Sequence, residues 1–183
     1  DSILVFFSET IDSASTNLLS FSVDNNVGNP IAIDFIGPEY NSVYLKFSQL
    51  FVAGTTYKLT VQLHIKDCAG NSLSTENTCR FAVPENVMAN DVIINEVLFN
   101  ERDGGSEYVE IYNRSNKVID LRKLYITTRG TDGQLNSLVS VYNPGFFMFP
   151  LEYVLIAEHP DAVKWQYTTT NPKGFYKHSC KIC

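Results

Sequence analysis

The chain has 183 residues, of which 44% are hydrophobic and 13% aromatic, with 12 Phe and 10 Tyr. This length suits one large domain or two small ones, and the Phe and Tyr content favours strands, because flat side chains pack well on a pleated sheet. The net charge of −6 without a Lys/Arg stripe argues against nucleic acid as a partner, and no run approaches the roughly 20 apolar residues of a membrane span.

The first half is predicted to form strands with one buried face, because apolar and polar residues alternate. In TYKLTVQLHI, Tyr57, Leu59 and Val61 point one way together with Leu63 and Ile65. The opening ILVFF is apolar on both faces, which predicts a strand covered on both sides. Turns at intervals of about ten residues indicate a sandwich. Weaker alternation marks residues 19–23, 31–35, 43–47 and 81–83.

A domain boundary is predicted around Pro84, which cannot continue a central strand. Residues 1–85 would form one domain, 86–90 a linker and 91–183 a second domain. The second domain has its own strand series, VIINEVLF, EYVEIYN, VIDL, LYITT, SLVSVY and EYVLIAE, followed by one short helix in HPDAVKWQY. The predicted fold class is all-β, with two β-sandwich domains in tandem.

Two resemblances accompany this pattern. The segments VFFSETID, FSQLFVAGTTYKLTV and IKDCAGNSL resemble bacterial Ig-like domains. The segments VIINEVLFN, EYVEIYNRSNKVIDLRKLYIT and FPLEYVLIAEHPDAVKWQY are similar to the lamin tail domain of the bacterial type, itself an Ig-fold sandwich. This second resemblance implies a folded interaction module of extracytoplasmic bacterial proteins, sometimes beside hydrolase domains, and brings no catalytic residues.

The end of the chain departs from the lamin-tail pattern. That family continues after the helix with a further strand pair, whereas this chain ends in GFYKHSCKIC. We therefore expect the last strands of the second sandwich to be absent or unrecognisable in the sequence, which means either that the molecule is truncated or that a sheet edge is left open. A sheet edge left open in this way invites self-association.

Glu96, Glu107 and Glu110 are the acids that a paired-carboxylate hydrolase would need. No His, Ser or metal-ligand cluster accompanies them, so we predict that the protein is not an enzyme and has no cofactor. Glu96 shares a face with apolar neighbours, which predicts a partly buried carboxylate bonded to backbone N–H groups or to a Tyr or Arg.

A binding surface is the main site hypothesis. Alternation assigns Val109 and Ile111 to the core and places Tyr108 and Tyr112 on the outer face, where Tyr and Arg side chains would gather, or else pack as ordinary scaffold. These residue types favour protein interfaces and sugar stacking. The candidate binding residues are Tyr108, Glu110, Tyr112, Arg114, Arg122 and Tyr125.

Cys68 and Cys79 flank the loop CAGNSLSTENTC, and a disulfide between them would stabilise the fold by about 3 kcal/mol. We prefer it to two free thiols, because the resemblances place the chain outside the cytoplasm. In the tail, His178, Cys180 and Cys183 have the form of half a zinc site, and terminal disorder or a second disulfide is the preferred interpretation.

Two further motifs have simple structural explanations. In DCAGN, Asp67 is expected to bond the backbone of its own turn, with Gly70 at positive φ, rather than calcium. NRS at Asn113 fits a glycosylation sequon, which in a bacterial protein is usually silent.

The predicted function is a non-enzymatic adhesion, assembly or interaction module of a secreted, periplasmic or cell-surface bacterial protein, with an unknown protein or glycan as partner. Two alternatives stay open. One is an accessory role in a larger extracellular hydrolase, and the other is a carbohydrate-binding module that uses the Tyr cluster.

Overall fold

The computed structural model describes residues 1–73, 77–136, 138–141 and 147–168, together with the backbone of residues 175–176. Within these ranges the chain is mostly β-strand with one short α-helix, which confirms the all-β prediction. The chain divides into two compact units, the first formed by Asp1–Val83 and the second beginning at Pro84. None of the described helical segments has the length and apolar character needed to cross a membrane.

The first unit contains two antiparallel sheets. Its strands are β1 (Ser2–Phe6), β2 (Phe21–Val23), β3 (Ala32–Ile36), β4 (Ser42–Lys46), β5 (Thr56–Val61) and β6 (Thr78–Ala82). One sheet has the strand order β1-β4-β3 and the other β2-β5-β6. Residues from both sheets contribute to one buried apolar cluster, so the unit is a sandwich.

The predicted alternation in β5 is confirmed. Tyr57, Leu59 and Val61 are buried, and Ile65 beyond the strand is buried as well. Leu63, predicted for the same face, is 47% exposed because β5 ends at Val61 and the chain turns there. Period-2 reasoning therefore holds only while the strand lasts.

The first strand contradicts the expectation of cover on both sides. Ile3 and Val5 of β1 belong to the core, but Leu4 and Phe6 are 43% and 50% exposed. The second sheet of the unit shares the core on the inner side of β1 and leaves the outer side to solvent. The expectation that this strand is covered on both sides is therefore wrong.

The elements of the second unit are β7 (Val92–Leu98), β8 (Tyr108–Asn113), β9 (Ile119–Asp120), β10 (Tyr125–Ile126), β11 (Val139–Ser140), β12 (Phe147–Met148), β13 (Tyr153–Ala157), α1 (Pro160–Gln166) and β14 (Phe175–Tyr176). The largest sheet has the order β14-β13-β8-β7, and β13 runs antiparallel to β8 and parallel to β14. Two smaller two-stranded sheets pair β12 with β9 and β10 with β11.

The core of the second unit joins the large sheet to the small ones. Ile111 and Val154 of the large sheet pack with Ile119, Leu121 and Met148. The predicted helix is confirmed as α1, a two-turn helix with Pro160 and Asp161 in its first turn. Proline suits this position because its missing N–H would have no partner in the first turn.

The expectation that the last strands are absent or unrecognisable stays a prediction, although one short strand follows the helix. The strand β14 follows the helix and pairs with β13 at the sheet edge opposite to β7. Two residues are too few to produce an alternating pattern, so this strand cannot be recognised from periodicity.

The other edge of the large sheet is β7, which pairs only with β8 among the described residues. The register between β7 and β8 shifts between Ile94 and Glu96, which indicates a β-bulge. Bulges are one of the devices by which natural edge strands avoid pairing with another chain. Self-association through an open edge stays a prediction.

Candidate interaction surface

The outer face of β8 carries the residues that the sequence singled out. Val109 and Ile111 pack against the core of the second unit, so Tyr108, Glu110 and Tyr112 lie on the opposite side of the strand. The alternation predicted for this strand is confirmed.

The aromatic part of this face is a stacked pair. Tyr153 of β13 lies directly opposite Tyr112 in the strand register, and the two ring centroids are 4.5 Å apart with an interplanar angle of 25°. Such pairs contribute about 0.5–1.5 kcal/mol beyond the burial of their area. The sequence indicated both strands, but only the register shows that these two tyrosines meet.

The polar part of the face places two carboxylates opposite each other. Glu96 of β7 is the register partner of Glu110, and like charges in that position destabilise a sheet. Each carboxylate has a neutral donor: Tyr108 Oη donates to Glu96 Oε1 at 2.5 Å, and Asn95 Nδ2 donates to Glu110 Oε1 at 2.7 Å. The bulge makes this possible, because Asn95 is the extra residue that the register skips.

The expectation for Glu96 is half right. Its hydrogen bond to a tyrosine is confirmed, but the side chain is exposed rather than partly buried. The reason is again the bulge, which shifts the strand face that simple alternation assigned to Glu96.

Tyr108 also contacts the segment after the helix. The ring of Tyr167 meets it edge-on with centroids 6.3 Å apart, and the Arg102 guanidinium lies 6.0 Å from the Tyr167 centroid. Burial, followed by the hydrogen bond to the Glu96 carboxylate, raises the pKa of Tyr108 well above its ordinary value. This phenol is therefore held in its neutral, donating form.

Arg114, Arg122 and Tyr125 do not join Tyr108, Glu110 and Tyr112 in one cluster. Arg114 follows β8 directly and is exposed at the end of the strand, where its backbone N–H donates to Asp91 O at 3.0 Å.

Arg122 lies in a 3-10 helix, Leu121–Lys123, and its Nε donates to both carboxylate oxygens of Asp120 at 2.9 Å. Tyr125 lies in β10, which pairs with β11. The prediction that they share one face with Tyr112 is wrong, because the chain leaves the large sheet after β8, so that Arg122 lies in the 3-10 helix and Tyr125 in a smaller sheet.

The predicted disulfide is not formed, since Cys68 and Cys79 are both free thiols. Cys79 of β6 lies opposite Leu59 and packs against the core, whereas Cys68 is exposed in a turn. Burial raises the pKa of the Cys79 thiol. The two side chains thus lie in different environments, and the prediction is wrong. The tail residues His178, Cys180 and Cys183 lie outside the described part of the chain.

The turn at Asp67 is as predicted. Its Oδ1 accepts the backbone N–H groups of Ala69 and Asn71, each at 2.8 Å, and Gly70 has φ of +89°. The hydrogen bonds from Asn71 are the largest cause that lowers the pKa of Asp67. Within the ranges that the structure describes, no three His, Cys, Asp or Glu side chains are grouped so that they could hold a metal ion.

Asn113, the sequon residue, has a structural role that the sequence did not show. It is 0% exposed, and its Nδ2 donates to the carbonyls of Lys117, Met148 and Phe149 at 2.8–3.1 Å. A glycan cannot be attached to a side chain in this position without unfolding the site.

The sandwich architecture of the first unit agrees with the comparison to family models. Residues 1–83 match the bacterial Ig-like domain family. The matched range ends at Val83, the last residue of the first compact unit, and confirms the first of the two resemblances. We refer to this unit as the Ig-like domain. The match does not extend to the second unit, for which the lamin-tail resemblance stays a prediction. Comparisons with curated proteins and with solved structures gave no match.

Proposed function

We propose that the chain is a non-enzymatic interaction module of an extracytoplasmic bacterial protein. The Ig-like domain supports the setting, because domains of this kind are typical of extracellular bacterial proteins. In this proposal the second unit, a lamin-tail-like sandwich, binds the partner and the Ig-like domain serves as a spacer.

The observation that carries the proposal is the outer face formed by Tyr108, Glu110, Tyr112 and Tyr153, which we call the tyrosine face. It combines a stacked aromatic pair with the Glu110 carboxylate, which accepts a hydrogen bond from Asn95, and with the Tyr108 hydroxyl, which donates to Glu96. Tyrosine is enriched at protein interfaces because its ring offers contact area and its hydroxyl offers a hydrogen bond. Tyr153 is 45% exposed, so part of the pair is available for contact.

A protein partner fits this face better than a sugar. A sugar ring stacks on a free aromatic face, whereas the stacking of Tyr112 on Tyr153 occupies one face of each ring. Carbohydrate binding remains the second candidate, because the exposed part of Tyr153 would still offer a platform. An accessory role beside an extracellular hydrolase would use the same face to bind the polymer that the hydrolase degrades.

One experiment separates these possibilities. The purified chain is applied to an array of extracellular proteins and to a glycan array, as wild type, as Tyr112→Ala and as Tyr153→Ala. We expect binding to a protein that both variants weaken about tenfold or more, as for aromatic residues that dominate an interface. Tyr125→Ala, an exposed tyrosine on another sheet, is the matched control and should bind as wild type.

Three results would contradict the proposal in different ways. Binding confined to glycans and competed by free oligosaccharide supports the carbohydrate-binding module. If neither substitution weakens binding, the partner does not bind the tyrosine face. Turnover of a polysaccharide substrate that is lost in Glu110→Gln would show that the protein is an enzyme.

A further inference from the structure

The outer face of the sheet β1-β4-β3 in the Ig-like domain is apolar. Leu4, Phe6, Ile36 and Tyr44 are 43%, 50%, 39% and 43% exposed. In register, Leu4 lies opposite Tyr44, and Ser42 lies between Phe6 and Ile36. Ser42 is only 5% exposed although it lies on this outer face, so its large neighbours cover it. The four side chains therefore form a continuous surface, which we call the apolar face.

The other sheet of the same domain shows that an apolar outer face is not a general property of the sandwich. On the outer side of β5, Lys58 lies opposite Arg80, and Thr60 lies between Ser22 and Thr78. That polar surface is the usual solution for an antiparallel sheet with water on one side. Contiguous apolar patches on soluble proteins commonly mark interaction sites, so the contrast indicates that the apolar face is covered by a partner.

The charges on this face favour a second copy of the chain as that partner. Residues 1–86 hold nine Asp and Glu against four Lys and Arg, so a contact between two copies is favoured where charges of both signs are present rather than where acids predominate. The apolar face carries one charge of each sign, Asp34 and Lys46, on adjacent strands. Neither side chain forms a salt bridge within the described part of the chain.

We propose that two copies of the chain associate through the apolar face. A two-fold axis lying in this face, between Asp34 and Lys46 and close to Tyr44, brings each Lys46 opposite Asp34 of the second copy. The same operation crosses the strands of the two sheets at roughly a right angle, which is one of the two common modes of sheet packing. Leu4 and Tyr44 of both copies then meet close to the axis, whereas Phe6 and Ile36, at the ends of their strands, lie toward the rim.

The expected affinity is modest. Three strands of five residues cover about 250 Å² in projection, given a strand spacing of ~4.8 Å and a rise of ~3.4 Å per residue. A standard interface buries about 800 Å² on each partner. The dimer should therefore form only at high concentration, in the micromolar to millimolar range. This inference is independent of the tyrosine face and of its partner.

Sedimentation equilibrium of the full chain over that concentration range tests the proposal. We expect a monomer–dimer equilibrium whose dissociation constant rises at least about tenfold in Leu4→Glu, because the substitution places a charge next to Tyr44 and close to the two-fold axis. The matched control is Thr60→Glu, which adds the same charge to the polar outer face of the other sheet and should dimerise as wild type. A circular dichroism spectrum identical to that of the wild type shows that each variant is folded.

A charge exchange provides a second measurement at exposed positions that do not threaten folding. Asp34→Lys and Lys46→Glu should each weaken the dimer several-fold, and the double variant D34K/K46E should restore it. A chain that stays monomeric at millimolar concentration overturns the proposal, as does a double variant that fails to recover. A dimer abolished by Ile94→Lys in β7, but not by Leu4→Glu, would assign self-association to the edge strand and would equally overturn it.

Discussion

The hydroxyl of Tyr108 donates a hydrogen bond to Oε1 of Glu96 across the pair β7 and β8, at the point where Glu96 also faces the carboxylate of Glu110. Two like charges placed opposite each other cost stability. The phenol offsets part of that cost because it gives Glu96 a neutral donor, as Asn95 does for Glu110.

Removal of this donor should destabilise the second unit. We expect Tyr108→Phe to lower the free energy of unfolding by about 1 kcal/mol, since it deletes one partly solvated hydrogen bond to a carboxylate and leaves the ring in place. Urea unfolding measures the change. Tyr125→Phe is the control, because the Tyr125 hydroxyl has no hydrogen-bond partner among the described residues and its loss should have no effect. An equal loss in both variants would show that the Glu96 bond contributes nothing.

The hydroxyl of Tyr108 should also make the second unit lose stability at alkaline pH. The pKa of Tyr108 is raised, first by burial and then by Glu96, above the value of about 10 for an exposed tyrosine. A raised folded-state pKa contributes stability that is complete below the unfolded pKa and is lost as pH rises. The stability difference between wild type and Tyr108→Phe should therefore shrink above about pH 10. A difference that stays constant from pH 8 to pH 11 would contradict the shifted pKa.

Acid should destabilise the second unit by protonating Asp120. The hydrogen bond from Arg122 is the largest cause that lowers the pKa of Asp120. A lowered folded-state pKa contributes stability above the unfolded value of about 4, and this contribution is lost as pH falls through the folded-state pKa. Asp120→Asn should be less stable than wild type at pH 6 and lose less stability below about pH 4. Asp103→Asn, which changes an exposed acid in the same unit, is the control and should be as stable as wild type at pH 6.

The buried amide of Asn113 should be one of the most sensitive positions of the second unit. Asn113→Ala removes the side-chain hydrogen bonds to the carbonyls of Lys117, Met148 and Phe149 and should cost about 3 kcal/mol of unfolding free energy. Asn113→Asp should cost more, because it turns a carboxylate oxygen toward the same carbonyls. Thermal unfolding measures both changes. Asn116→Ala, an exposed change in the same turn, is the control, and a similar loss there would argue against a specific role of the Asn113 amide.

Local alternation was sufficient to predict the strands that are long and half-buried. In β5 and β8 the side-chain period of two separates Leu59 from Lys58 and Ile111 from Glu110 without knowledge of the partner strands. The helix α1 was predictable for a similar local reason, since Pro160 fixes its first turn.

The relationships between strands were not predictable in this way. The stack of Tyr112 on Tyr153 depends on the register of β8 and β13, and the pairing of Glu96 with Tyr108 depends on a bulge. No local pattern encodes a bulge. The assignment of Arg122 and Tyr125 to the tyrosine face failed for the same reason, because proximity in sequence across a short turn does not determine which sheet the next strand joins.

The two cysteines of the Ig-like domain should differ in reactivity. Cys68 is exposed, whereas the burial of Cys79 raises the pKa of its thiol and reduces the thiolate fraction. Alkylation of the native protein without reductant, followed by peptide mass spectrometry, should modify Cys68 rapidly and Cys79 only after unfolding in urea. Cys79→Ala should leave the labelling rate of Cys68 unchanged, as expected for thiols that do not interact. Detection of a peptide in which Cys68 is linked to Cys79, in a digest without reductant, would show that the two form a disulfide and would contradict this prediction.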